Sequence, residues 1–496
     1  AARLDDRFRL LTGGSRVAVA RHQTLRAAMD WSYELLADDE RALLRRMSVF
    51  HGGFALEAAE AVAAGDLVDE ADVLDLLGRL VDKSLVQVEA RTTEQRYDLS
   101  GIVRQYADER LVESDEAFEA RRRHRDWCLR LVEQAAPRLQ RGPDAAMWLD
   151  RLDLEHDNLS AALDWSADEP GEAEAGLRLA EGLWRFCEIR GHLAEGRGWL
   201  ERMLEAAPAA DSPLRANALT GAGLLAFIQG DYAAALAFHE QSLELHRRLG
   251  DATAVAYATN NLANAALQQG DLDRARELYE QSLVLARQQD RHGYAFGLVN
   301  TADVLQRQGE YAAAQGRFRE SITMFRELGD PWGEAYALDE FGRVARREGD
   351  VETARILHAD ALAIARSMGD QGSAARALAN QADLAASEGD LSRSRMLHRE
   401  SLATRMAMRD LPGVATGLER LAATIVDDDP DAAARLIGAA EALREATRAR
   451  LPLASRAEHD RVVEALEATL GGEAFAAARA VGRRSSPDEV LATLPP

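Results

Sequence analysis

Residues 270–290 read GDLDRARELYEQSLVLARQQD, and related stretches recur along the chain at a nearly constant interval. Each copy opens with a glycine followed by an acidic residue, and successive copies start 40, 39, 40 and 40 residues apart. The five openings are Gly230-Asp231, Gly270-Asp271, Gly309-Glu310, Gly349-Asp350 and Gly389-Asp390. Further turns of the same kind, such as Gly250-Asp251, fall midway between them. Because glycine ends helices and aspartate caps the next one, each unit is predicted to be two helices of similar length.

Small and large side chains alternate in register with these turns. Seven positions before the turn glycine the residue is Gly or Ala in every copy, and twelve after it is Ser in four of the five. Nine positions after the glycine come the rings, which are His239, Tyr279, Phe318, His358 and His398. Small residues at a close helix crossing, with a ring beyond, are typical of a helix-hairpin solenoid. The pattern resembles the tetratricopeptide repeat, in a variant longer than the usual ~34-residue unit.

The rest of the chain divides around this array. The segments Leu85–Val88 and Gln95–Leu99 alternate like two strands of a hairpin joined by Glu89–Glu94, in a region otherwise helical. Gly191 suggests one degenerate repeat before the array. The predicted regions are a winged helix over 1–115, a helical linker with the degenerate repeat over 116–210, five repeats over 211–411 and a helical cap over 412–496. The predicted fold class is therefore all-α, with one small β-hairpin.

Motifs in the N-terminal region carry a family resemblance. Trp31–Leu36 followed by Arg45–Phe50 resembles the winged helix of signal-transduction ATPases of the nucleotide-binding, apoptosis-factor and plant-resistance type. Arg21–Ala27, Leu80–Leu85 and Arg104–Leu111 resemble the bacterial (STAND) branch with tetratricopeptide sensors. That branch includes actinobacterial transcriptional regulators with a LuxR-type or antibiotic-regulatory DNA-binding module.

The resemblance implies a switch in which a nucleotide-binding domain holds ADP, the winged helix latches it, and a repeat sensor releases the latch. This chain would hold only the latch and the sensor. A phosphate-binding loop needs Gly-x4-Gly-Lys-Ser/Thr, whereas Lys83 is the sole lysine and Gly78–Ser84 lacks the second glycine. We therefore expect no enzymatic activity and no cofactor in this chain, with ATP or ADP bound by an upstream domain.

Two other functions fit the same sequence. The chain could be a stand-alone tetratricopeptide scaffold for other proteins, or the sensor of an anti-phage defence protein. The domains that would distinguish these alternatives from a transcriptional regulator lie outside the chain.

The charge balance limits the partners. The 496 residues carry 60 Lys and Arg against 83 Asp and Glu, a net charge of −23, which disfavours phosphate backbones and anionic membranes. We expect DNA contact only through a module outside this chain. No apolar run is long enough to span a membrane, and the two isolated cysteines fit a reducing cytoplasm.

One row of residues is the candidate effector site. In tetratricopeptide arrays the residue nine before the turn glycine often points into the concave groove, and a peptide, protein or small molecule could bind there. The candidates at this position are Asn261, Asn300, Glu340 and Asn380. Asn264 and Arg343 are added because they follow Asn261 and Glu340 by three residues and so lie on the same helix face. The alternative is that these amides only bond the neighbouring helix.

A second candidate rests on the family resemblance alone. Related ATPases carry a Met-His-Asp motif whose histidine lies near the ADP phosphates, and the corresponding residues here are Leu99-Ser100-Gly101. Ser100 could donate to a phosphate, or it could simply cap the following helix.

No metal site is predicted. His239, His358 and His398 occupy equivalent slots in separate hairpins, too far apart to share an ion.

Overall fold

The computed structural model describes residues 26–90, 95–139, 144–447, 449, 451 and 453–494, and it confirms the all-α fold class. The described residues form two compact units. The first comprises the residues up to Leu139 together with Met147–Gly182, and the second runs from Leu183 onward with the short stretch 144–146. The predicted boundary at 115/116 thus falls inside the first unit.

The first unit begins with the winged helix. Its elements are α1 over 26–34, α2 Asp38–Met47, β1 Phe54–Ala55, α3 Leu56–Ala63, α4 Val73–Asp82, β2 Gln87–Ala90, β3 Gln95–Asp98 and α5 Gly101–Glu113. The strands form an antiparallel sheet in the order β1-β3-β2, in which Tyr97 pairs with both Phe54 and Val88. Phe50, Phe54 and Tyr97 stack in the core, with ring centroids 4.7 and 6.0 Å apart.

The first strand of the predicted hairpin is shifted. β2 begins at Gln87 rather than at Leu85, because Leu85 and Val86 both donate backbone hydrogen bonds to the carbonyl of Leu80 and so terminate α4. Ser84 takes a left-handed conformation at this turn. Residues 91–94 of the predicted connection lie outside the described residues.

Helices α6 Ala117–Leu139, α7 Ala145–Leu154 and α8 His156–Asp168 follow. The residues of α6 pack on α3, and Glu116 just before α6 pairs with Arg45 and Arg46 of α2 at 2.7 Å each. Arg96 of β3 forms an ion pair with Glu155, with both side chains buried. These long-range ion pairs explain why the segment after residue 115 belongs to the winged-helix unit.

The second unit is the solenoid. After α9 Ala173–Arg190, its helices are α10 Leu193–Ala206, α11 Pro213–Ile228, α12 Tyr232–Leu249, α13 Ala252–Gln269, α14 Leu272–Gln289, α15 Arg291–Arg307, α16 Tyr311–Leu328, α17 Pro331–Glu348, α18 Val351–Met368, α19 Gln371–Ser387, α20 Leu391–Ala407, α21 Leu411–Ile425, α22 Pro430–Thr447, α23 Leu453–Leu470, α24 Gly472–Gly482 and α25 Pro487–Ala492. α21 packs along α22 as the helices of the repeats do. The regular array therefore continues to Thr447, beyond the predicted end at 411.

The turns have the predicted chemistry. The glycines that end these helices have φ between +64° and +86°, and Arg409 takes the same left-handed conformation where one is missing. Most helices are then capped by an aspartate whose side chain accepts from the backbone N–H three residues on. These caps are Asp231, Asp251, Asp271, Asp290, Asp330, Asp350, Asp370, Asp390 and Asp410.

The predicted pairing of small residues with rings is also present. A Cβ added to Gly223 would lie 2.5 Å from the ring of His239, and one on Gly342 would lie 2.7 Å from that of His358. The repeated serines lock the two helices of a unit together by donating to a carbonyl 26 residues earlier. These bonds run from Ser242, Ser282, Ser321 and Ser401 at 3.0, 2.8, 2.8 and 2.7 Å.

The solenoid curves toward the first helices of its units. Successive first helices pack directly on each other, from α11 on α13 through to α19 on α21, whereas the second helices pack mainly on first helices. The residues facing inward from α13, α15, α17, α19 and α21 therefore form its concave inner face. Arg190 donates to the carbonyl of Met408 at 3.0 Å, and Gly191 lies against Leu411 and Thr447. The end of α9 and the turn after it thus contact α21, α22 and the turn before α21.

Candidate binding site on the inner face of the solenoid

Two rows of side chains, one helical turn apart, run along the inner face. One is the predicted row of Asn261, Asn300, Glu340 and Asn380. The other, four residues earlier in each helix, consists of Tyr257, Phe296, Tyr336 and Arg376. Arg376 lies over the ring of Tyr336 at 5.0 Å, and Tyr336 stacks on Trp332. We call these the amide row and the aromatic row.

Much of the amide row is engaged between helices. Asn300 donates to Asn260 of the preceding unit at 2.9 Å, and Asn380 donates to Asp339 at 2.9 Å. Asn264 accepts from the Tyr279 hydroxyl at 2.5 Å. The alternative considered from the sequence, that these amides bond the neighbouring helix, describes these three residues. Their predicted role in effector binding stays a prediction.

Asn261 differs from the other amides. It is buried, at 4% exposure, and its amide nitrogen makes no hydrogen bond of normal geometry among the described residues, although the Tyr257 hydroxyl lies close enough for the amide to favour its ionised form. Tyr257, one turn earlier, is 52% exposed. The amide has two N–H donors, of which the Tyr257 hydroxyl can take at most one, so a ligand backbone carbonyl can accept from the other.

Asp339 forms a buried polar network with three partners. At 1% exposure it accepts from Asn380, lies 2.8 Å from Nδ1 of His358 and lies 3.0 Å from Nε of Arg376. Burial raises the pKa of Asp339, but the bonds from His358 and Asn380 and the charge of Arg376 outweigh it and hold the pKa below its usual value. The network links α17, α18 and α19.

The inner face becomes strongly charged toward the C-terminal end. Glu340 and Arg343 of the predicted site pair with each other at 2.9 Å. Beyond them lies a cavity of about 360 Å³ between α17, α19, α21 and α23. Its charged and polar lining includes Arg343, Arg346, Arg347, Asn380, Asp383, Glu419, Arg420, Glu458 and His459. The structure thus brings Arg343 and Asn380 into one cavity, whereas Asn261, Asn264 and Asn300 lie outside it.

The second candidate is at the start of α5. Ser100 is the N-cap residue, and its hydroxyl accepts from the backbone N–H of Val103 at 3.4 Å. This geometry is the capping role considered for it, and its contact with nucleotide stays a prediction.

The winged helix shows little of a phosphate-binding face. The exposed side chains of α4 include Leu74, Asp75, Arg79 and Asp82, so acids outnumber the cation.

The basic stretch at the start of α6 is largely ion-paired. Arg122 and Arg123 pair with Glu119, Arg121 pairs with Asp108, and Arg125 pairs with Glu172. The expectation that DNA contact belongs to a module outside this chain stays a prediction.

None of the described helices is long and apolar enough to cross a lipid bilayer.

The aromatic row and Asp339 were missed by the sequence analysis. Reading the position thirteen before each turn glycine would have found the row, because it gives Tyr257, Phe296 and Tyr336 in successive units. Asp339 stands where the second unit has Asn260, and nothing in the sequence marks it as buried.

Comparison with known proteins agrees with both parts of the chain. Residues 36–112 match the winged helix-turn-helix domain, and residues 215–249 and 254–327 match the tetratricopeptide repeat. The chain therefore contains a winged helix-turn-helix domain followed by tetratricopeptide repeats.

A Mycobacterium tuberculosis protein named "Putative HTH-type transcriptional regulator" is 41% identical over 263 residues, which make up 51% of this chain and 29% of that protein. This chain spans less than a third of the length of that relative.

Among solved structures, a Rap protein complexed with competence and sporulation factor aligns with 73% of this chain and 99% of its own, at 14% identity and a TM-score of 0.48. A signal-transduction ATPase with a tetratricopeptide repeat sensor from Pyrococcus horikoshii aligns with 88% of this chain and 66% of its own, at 17% identity and a TM-score of 0.38. Neither likeness carries a functional argument.

Proposed function

We propose that this chain is the sensor region of a transcriptional regulator. Its solenoid binds an effector, a peptide, protein or small molecule, on the inner face, and its winged helix passes the signal to a nucleotide-binding domain of the same polypeptide. DNA contact belongs to a module outside this chain. The support is the matched pair of domains and the name of a relative that is 41% identical over half of the chain.

One observation carries the proposal: the inner face is built for contact rather than only for packing. Tyr257 is half exposed on a concave surface, and the neighbouring amide of Asn261 keeps at least one N–H donor that no described residue satisfies. Exposed rings and amides with spare bonding capacity suit an extended peptide or a compact polar ligand. A stand-alone scaffold protein would need the same inner face for its partners. The experiment must therefore measure transcription to distinguish a regulator from a scaffold.

The test introduces Asn261→Ala with Asn300→Ala into the full-length gene product and measures transcripts of its target promoters. We expect weakened effector binding and a regulatory defect, with only a modest fall in melting temperature from the lost bond between Asn300 and Asn260. Val284→Ala, at a 76% exposed position on the second helix α14, is the matched control and should behave as wild type. A large loss of stability in the double variant would instead show that the amides are structural. A third variant adds Tyr257→Ala to these two substitutions. If it folds and transcription of the target promoters is unaltered, the sensor function is contradicted.

The proposal assigns ATP turnover to another domain. The purified chain should therefore show no ATP hydrolysis above a buffer blank. A measured, saturable rate from this chain alone would overturn that part of the assignment.

A further inference from the structure

The cavity at the C-terminal end of the inner face has more cations than its carboxylates neutralise. Asp383 pairs with Arg420 at 3.4 Å, and Glu419 pairs at 2.6 Å with Arg444. Glu340 engages Arg343. Glu458 also lines the cavity and forms no ion pair with any described residue, so the lining carries four arginines, Arg343, Arg346, Arg347 and Arg420, against three carboxylates, in a chain whose net charge is −23.

Arg346 and Arg347 supply the surplus charge. Arg346 forms no ion pair with any described residue, and the nearest carboxylate oxygen to Arg347 is that of Asp303, 3.8 Å away. That carboxylate is shared with Arg307 at 3.0 Å. Burial lowers the pKa of Arg347, the charges of Arg343, Arg307 and Arg346 lower it further, and Asp303 opposes them without reversing the shift.

Clustered guanidinium groups lining a concave site are relieved by an anion, because each presents forked N–H donors that match carboxylate and phosphate oxygens. The side chain of Asn380 adds a polar group to the same wall, and His459 adds another from α23. The volume of about 360 Å³ is that of a small-ligand site rather than of a protein surface.

We propose that this cavity binds the carboxylate or phosphate group of a small anionic ligand, with Arg346 and Arg347 as the main cations and Arg343 beside them. The proposal rests on the proposed function in one respect only: the ligand is taken to be the effector. Binding itself depends on the cavity alone.

The experiment titrates the full chain with citrate, with inorganic phosphate and with glycerol as a neutral control, following heat and melting temperature at low and high salt. We expect citrate, phosphate or both to bind, with affinity falling as salt rises. Arg346→Gln with Arg347→Gln should weaken binding at least about tenfold. Arg274→Gln, which removes an exposed arginine of α14 that pairs with Glu277, is the matched control and should bind as wild type.

The titrations with citrate and with phosphate distinguish the possible kinds of anionic ligand. Binding of citrate alone indicates a carboxylate ligand, binding of phosphate alone a phosphorylated one, and binding of both a general anion site. Absence of anion binding, or binding equal in the double variant and the control, overturns the proposal. Should the double variant not fold, Arg346→Gln alone breaks no ion pair and tests the same point.

The failures of the two proposals are distinguishable. If citrate or phosphate binds but Arg346→Gln with Arg347→Gln leaves transcription by the full-length gene product unchanged, the anion site stands and its sensor role fails. If inner-face variants such as Asn261→Ala alter transcription while no anion binds, the sensor stands and the anion site fails.

Discussion

Two units of the solenoid share a backbone plan and differ in how their rings are held. In the unit α13–α14, the ring of Tyr279 is fixed by its hydroxyl bond to Asn264, and Ser282 donates to the carbonyl of Ala256. In the unit α17–α18, His358 occupies the ring slot against Gly342 and pairs with buried Asp339, and Ala361 replaces the serine.

The difference shows that the repeat requires a shape, while the polar chemistry that secures the shape is interchangeable. Neutral hydrogen bonds secure the first unit, whereas the buried carboxylate of Asp339, bonded to His358 and Asn380 and paired with Arg376, secures the second. The second arrangement is the more sensitive one, because removing Asp339 leaves the buried His358 and Asn380 and the partly exposed Arg376 without their shared acceptor. The two units should therefore respond differently to equivalent changes.

The largest contrast is expected from Asp339→Ala against Asn264→Ala. Loss of Asp339 leaves His358, Arg376 and Asn380 without their shared acceptor and should cost about 3–5 kcal/mol. Loss of Asn264 removes one neutral bond and should cost about 1 kcal/mol. Urea unfolding gives the free energies, and hydrogen exchange should locate the first loss in α17, α18 and α19. Equal losses in the two variants would mean that the hydrogen-bonded network around Asp339 is no more important than the neutral bond of Asn264.

A pH effect of intermediate size is expected at the ring slot of His239. Burial lowers the pKa of His239 to about 4, so between that pH and the unfolded value of about 6.5 the unfolded chain binds more protons. The free energy of unfolding should therefore fall as the pH drops through this window, by up to about 3 kcal/mol from this group.

Replacing His239 by the ring found in the equivalent slot of the third unit, as His239→Phe, should remove that share of the acid sensitivity. Comparing urea unfolding of variant and wild type at pH 7.5 and pH 4.5 measures it. His398→Phe is a parallel case, since burial lowers the pKa of His398 to about 4 as well. Identical pH profiles for wild type and both variants would show that these two histidines bind protons as readily in the folded chain as in the unfolded one.

The smallest effect is expected from the repeated serine that hydrogen-bonds the two helices of a unit. Ser282→Ala should cost about 1 kcal/mol because the carbonyl of Ala256 loses a buried donor. The reverse change, Ala361→Ser, places a hydroxyl near the carbonyl of Ala335, 26 residues earlier, and should gain a similar or smaller amount. Thermal unfolding of the pair, alone and combined, checks both signs. A destabilised Ala361→Ser would indicate that His358 and Asp339 leave no room for the hydroxyl.

Much of the repeat architecture was predictable because its determinants are local. The turn glycines, the aspartate caps and the slots for small residues and rings each act within one or two helices, and the structure has them as predicted. The end of the array was placed too early, because α21 and α22 keep the packing after the glycine at the turn has been replaced by Arg409.

The candidate site was only partly predictable, because its hydrogen bonds join residues that are far apart in the sequence. The sequence placed Asn300 and Asn380 on the inner face, but it held no sign that each bonds a residue about 40 positions away in the preceding unit. The same holds for Leu85 and Val86, whose hydrogen bonds to Leu80 displace the start of β2.

The sequence by itself determined where helices begin and end and which small residue meets which ring, because these choices depend on backbone conformation and on neighbours within one hairpin. Only the tertiary structure decided which polar side chains form hydrogen bonds between helices and which face the inner surface. That outcome depends on how closely successive first helices approach as the array curves. The curvature buries Asp339 and leaves Tyr257 accessible. It also brings Arg343, Arg346 and Arg347 of α17 into one cavity with Asp383 of α19 and Arg420 of α21.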